Sequence, residues 1–132
     1  MQAAGRVIRA AGSYWAVVFA LGFVLGTVRV LWIAPALGLL AATALELPVI
    51  LGASWIASGW LVRRFALARG GEAMAAGALA FALLMAAECA LAGVLAGETP
   101  GEWLTGLAAP HAALGLAGQV VFALMPLWRA RG

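Results

Sequence analysis

Four apolar stretches, each of about 20 residues or more, leave this chain few ways to fold. They run roughly over 14–33, 37–62, 73–96 and 103–128. A helix of about 20 mostly apolar residues matches the hydrocarbon thickness of a bilayer. A segment buried there must satisfy its main-chain hydrogen bonds internally, which a helix does. Each stretch is therefore expected to be a transmembrane helix. Of the 132 residues 66% are hydrophobic and only 10% charged, whereas a soluble domain carries roughly 25% charged residues to cover its surface. The connections are short, so consecutive spans are expected to lie antiparallel and adjacent. The fold class that follows is all-α and integral to the membrane: an up-and-down four-helix bundle, with 1–132 as one transmembrane domain.

Charge sets the expected orientation. Arg6 and Arg9 precede the first stretch, Arg63, Arg64 and Arg69 follow the second, and Arg129 and Arg131 follow the fourth. The first connection carries no charge, and the third carries Glu98 and Glu102 around Thr99-Pro100-Gly101, the pattern of a solvated turn. Basic residues are retained on the cytoplasmic side, so both termini are expected there. Aromatic residues favour the headgroup level; Tyr14, Trp15, Trp60 and Trp128 would mark the inner interface and Trp32 and Trp103 the outer one, leaving Trp55 to packing. The N-terminal apolar run is too long for a cleavable signal and reads as an uncleaved anchor. The expected location is the bacterial inner membrane. The net charge of +3 comes from eight arginines against five glutamates; with the arginines flanking apolar segments, it points to topology and not to nucleic acid. The single cysteine, Cys89, excludes an intramolecular disulfide and reads as a small hydrophobe.

Four ionisable residues interrupt the apolar runs: Arg29, Glu46, Glu88 and His111. At ~1.5 Å per residue all four fall roughly 6–13 Å below the outer interface, one on each helix. A charged side chain at the bilayer centre costs about 2.5–3.5 kcal/mol on the insertion scale. Glu46 is therefore expected to point inward at Arg29 or a polar neighbour. Gln119 shares a helical face with His111 and extends this polar cluster. Gly22 and Gly26 share a face with Arg29 in a small-x-x-x-small pattern, which allows close helix packing. Pro48 and Pro110 each remove a main-chain donor beside a charged residue.

One arginine neutralises one carboxylate. The other must be protonated, paired with His111 or bound to a cation. The first reading is a structural cluster in a protein accessory to a membrane complex. The alternative is proton- or ion-coupled transport through Glu46 and Glu88, because relays use intramembrane carboxylates. A third is a divalent-metal site from Glu46, Glu88 and His111. No nucleophile and base share a depth, so an enzyme is not expected. Nor is a cofactor, since a lone histidine cannot supply both ligands of a bis-histidine haem. Four spans leave little room for a permeation path, so the expected partners, besides the lipid bilayer, are further copies of the chain or a larger complex.

Gly26-Thr27-Val28-Arg29, Pro35, Glu46-Leu47-Pro48, Ser54-Trp55 and Arg63-Arg64-Phe65 together resemble a group of uncharacterised four-span inner-membrane proteins of alphaproteobacteria. The final span, from Gly115-Leu116-Ala117-Gly118-Gln119 through Phe122 and Pro126, resembles the same group. The resemblance implies a bacterial inner membrane and no particular activity. Small multidrug resistance transporters are similar in length and span count but carry their essential glutamate in the first span, where this chain has Arg29. Small dual-topology fluoride channels are similar in size, but their balanced arginine distribution is absent here.

Overall fold

The first span is helical well beyond its apolar run, because the Ala-rich segment before Tyr14 contains no helix-breaking proline. In the computed structural model, which describes residues 2–67 and 71–131, α1 (Gln2–Val28) continues into a π-helical turn (Arg29–Ile33) and a last α-helical turn, α2 (Ala34–Leu37). The π turn has a local cause. Pro35 has no N–H to give Leu31, and its ring would press on that carbonyl. Widening the turn lets the N–H of Ala34 reach the carbonyl of Arg29 instead. Gly38 then reverses the chain at φ +87°, a conformation that suits glycine.

The second span, α3 (Leu39–Arg64), ends without a glycine. The N–H of Leu67 bonds the carbonyl of Val62 at 3.1 Å, that of Ala66 bonds Arg63 at 3.4 Å, and Ala66 takes the left-handed conformation at φ 50°. This is a Schellman turn, and it folds Leu67 back into the core. Arg69 and Gly70 lie outside the described residues, as does the side chain of Arg131. The third span is α4 (Gly71–Ala96).

A short helix, α5 (Pro100–Gly106), precedes the fourth span, α6 (Pro110–Arg131). Thr99 and Glu102 form a reciprocal capping box with Pro100 in the first turn, so the expected solvated turn is a helix start. Tight bonds from Leu107, Ala108 and Ala109 to the residues three before them separate α5 from α6. The fourth span therefore begins at Pro110 and not near Trp103. Pro110 opens a helix, where its missing N–H costs nothing, and does not interrupt one.

Four helices are long and apolar enough to cross a membrane: Ala4–Leu37, Leu39–Arg64, Gly71–Ala96 and Pro110–Ala130. The chain is accordingly a multi-pass membrane protein in the form of a helical bundle. Its cyclic order departs from expectation. α3 packs on α1 and most extensively on α6, and α4 packs on α1 and α6, while α3 and α4 scarcely touch. α3 and α4, although consecutive spans, therefore occupy opposite corners of the bundle.

The core is concentrated at the end where α1 begins and α3 and α6 finish, called here the terminal end. Ala10, Ala11, Tyr14 and Val18 of α1 meet Leu61 of α3, Ala76, Ala80 and Leu84 of α4, and Phe122 of α6. Small residues allow this closeness. Ser54 and Ser58, also buried, satisfy their hydroxyls on the carbonyls of Ile50 and Trp55 in their own helix. Tyr14, expected at the interface, is only 1% exposed. It stacks on Phe122 with ring centroids 4.2 Å apart, and its hydroxyl donates to the Phe122 carbonyl at 2.7 Å. Trp60 and Trp128 are exposed, as interfacial anchors should be. Trp55 holds the guanidinium of Arg129 over its ring, 4.6 Å from the centroid, a cation–π contact.

Candidate functional site

At the other, distal end the helices part around an open cavity of about 880 Å³. Val18, Ser54, Leu84 and Phe122 close it below, where the core begins. Trp103 of α5, Glu98 and His111 stand at its rim. Its walls are mostly apolar, with the polar groups confined to a few positions, the usual make-up of a ligand pocket.

Two polar contacts cross between helices here. Arg29 Nη1 donates to Glu46 Oε2, joining the π turn to α3. The amide of Gln119 donates to Glu88 Oε1, joining α6 to α4. Each contact therefore clasps one antiparallel pair of neighbouring helices, and the cavity lies between the two clasped pairs.

The expected cluster is thus resolved into parts. Arg29, Glu46, Glu88 and Gln119 share a level, roughly 10–14 Å from the distal ends of their helices at ~1.5 Å per residue. His111 does not share it. As the second residue of α6 it lies near the rim, and among the described residues its side chain makes no hydrogen bond. The four level residues are half-buried and line the cavity, so they are not sealed in a core. Among the described residues no three His, Cys, Asp or Glu side chains converge closely enough to hold a metal ion, so Glu46, Glu88 and His111 are not brought together as ligands.

The glycines also differ from expectation. A Cβ on Gly22 would lie 3.8 Å from Ile50 Cδ1, ordinary contact, and one on Gly26 would meet only Arg29 of the same span, at 3.5 Å. Both glycines line the cavity. Close helix approach occurs instead at Gly77, against the Ala123 carbonyl, at Gly59, against the Arg129 guanidinium, and at Gly118, against Leu47. Pro48 faces outward on α3, so its missing N–H does not open the backbone toward the cavity.

Three features escaped the sequence reading. Thr99-x-x-Glu102 is a capping-box signature that was legible. Glu72, unremarked at the start of α4, meets Arg6 at 2.9 Å. The π turn had a signal in Pro35, but its consequence depends on what lies beside it. No protein-family model, curated protein or solved structure matches this chain.

Proposed function

We propose that this chain is a small inner-membrane protein, with both termini in the cytoplasm, that binds a small cation or a proton in its outward-facing cavity as part of proton- or ion-coupled transport. The observation that carries this reading is the placement of Arg29, Glu46, Glu88 and Gln119 on the wall of an open cavity. A purely structural cluster has no need of access. Glu46, Glu88 and Glu98 outnumber Arg29 around the space, so its charge favours a cation. The cavity volume falls within the roughly 300–1,000 Å³ of small-molecule sites. Its closed floor suits one state of a carrier that opens to one side at a time. With only four spans, a working unit of two or more copies completes the proposal.

A structural or accessory role in a larger complex is the second reading. It is favoured by the way each polar contact clasps one helix pair, as a register-fixing device would.

Proteoliposomes loaded with a pH-sensitive dye test the two. Under an imposed cation gradient, parent protein is expected to move protons and Glu88→Gln to move far fewer. Equal flux from the parent, from Glu88→Gln and from empty vesicles would remove the transport reading and leave the accessory one.

A further inference from the structure

The end opposite the cavity carries a second, smaller cleft of about 260 Å³, lined by Arg6, Arg9, Arg64, Phe65 and Ala66. Its parts come from two helices. Arg6 and Arg9 are three residues apart on α1 and so share a face. Arg64 is the last residue of α3, and the Schellman turn through Ala66 sets Phe65 beside it. The Arg64 guanidinium lies 5.4 Å from the Phe65 ring centroid, which restrains it without neutralising it.

Three guanidinium groups around one small cleft repel one another unless an anion lies between them. Glu72 pairs with Arg6. Arg9 spends its Nε on the carbonyl of Gly5 in its own helix, at 3.3 Å. Among the described residues neither Arg9 nor Arg64 forms an ion pair. The charge and the donors both call for an oxyanion. Guanidinium groups match phosphate oxygens with paired, charge-assisted hydrogen bonds.

The cleft's place in the fold selects the source of that phosphate. It lies at the end of the membrane-spanning helices where Trp60 and Trp128 are exposed, and exposed tryptophan marks the headgroup level. We infer that this cleft is a binding site for the phosphodiester headgroup of an anionic membrane lipid. Two arginines that form no ion pair among the described residues favour net negative charge, so a zwitterionic headgroup, which brings its own cation, fits less well. Phe65 supplies an apolar wall for the glycerol and first methylenes of the lipid. The site is independent of the distal cavity and stands or falls apart from it.

The test is lipid retention by native mass spectrometry, with thermal unfolding in nanodiscs of phosphatidylcholine alone or doped with phosphatidylglycerol. The parent is expected to keep one phosphatidylglycerol and to unfold at a higher temperature in the doped discs. Arg9→Gln/Arg64→Gln is expected to lower retention about tenfold and abolish that difference, while unfolding normally in phosphatidylcholine. If the double variant does not fold, Arg9→Gln alone is read by retention. Arg63→Gln is the control, because Arg63 is exposed and does not line the cleft. Three results would overturn the site: loss in Arg63→Gln equal to that in the cleft variant, stabilisation of the parent by inorganic phosphate as large as by phosphatidylglycerol, or no preference for phosphatidylglycerol over phosphatidylcholine.

Discussion

Tyr14 donates a 2.7 Å hydrogen bond to the main-chain carbonyl of Phe122. In an unbroken helix that carbonyl would accept from the residue four positions on, which is Pro126 and has no N–H. Pro126 is fully buried inside α6, so neither water nor lipid reaches the gap. The phenol of α1 thus fills a vacancy made by the sequence of α6. It does so across the diagonal of the bundle, tying together two helices that otherwise meet little.

This makes the two residues energetically coupled. Tyr14→Phe keeps the ring stacked but strands a buried carbonyl, at a cost of about 1–3 kcal/mol. With Pro126→Ala in the background, the new N–H serves the carbonyl, and Tyr14→Phe is expected to cost about 1 kcal/mol less. A double-mutant cycle by denaturant unfolding in mixed micelles measures the difference. Strict additivity would show that the hydroxyl has another purpose.

Close packing gives a second expectation, drawn from two glycines. A Cβ at Gly77 would run into the Ala123 carbonyl, main chain that cannot swing aside. Gly77→Ala is therefore expected to lose about 1–3 kcal/mol or more through overpacking. Gly22→Ala meets only ordinary contact and is expected to be neutral, or stabilising by up to about 1 kcal/mol, as alanine favours the helix. Melting temperatures of the two variants suffice; similar losses at both sites would mean that α1 also packs tightly on α3 at Gly22.

The contrast between these glycines shows what the sequence could and could not reveal. Gly22-x-x-x-Gly26 is visible as spacing, but whether a small residue meets a neighbour depends on which helices are adjacent. Here α4 lies against α1 and α6 and away from α3, an order that no periodicity encodes. Hydropathy indicated four spans, because a bilayer needs a minimum apolar length from each, but it did not fix where the first and fourth helices begin. The pairing of Arg29 with Glu46 was legible because an arginine and a glutamate at similar depth on consecutive antiparallel helices are bound to meet. The partner of Glu88 was not legible as such: Gln119 carries no charge, and His111 appeared to share its level. Thr99 and Glu102 decided that question by starting a separate helix, which moved the beginning of α6 and with it His111.

The two glutamates should respond differently to neutral replacement. Glu46→Gln removes the acceptor charge opposite Arg29, a charge-assisted bond of about 1.5–3 kcal/mol. Partial exposure of the arginine, at 30% of its side chain, favours the lower part of that range. Glu88→Gln keeps a carbonyl oxygen for the Gln119 amide and is expected to cost less than about 1 kcal/mol. Thermal unfolding in nanodiscs at neutral pH separates them. Equal losses would indicate that all four polar residues act as one network and would weaken the case for Glu88 as a separately accessible group.

The capping box at α5 gives an expectation in pH. The main-chain N–H of Thr99, followed by its hydroxyl, holds the exposed Glu102 carboxyl below the usual carboxylate range. The ionised form is therefore the one that supports the helix start. Because the folded value lies below the unfolded one, about 4.3, the stabilisation is fully present above that pH and is lost as pH falls through the lowered value. Carbon NMR of the Glu102 carboxyl is expected to show a midpoint below 4.3 in the parent, rising toward the ordinary value in Thr99→Ala. As α5 carries Trp103 at the cavity rim, the indole emission should shift over the same acid range in the parent. An unchanged spectrum through the carboxyl midpoint would show that α5 keeps Trp103 in place without its cap.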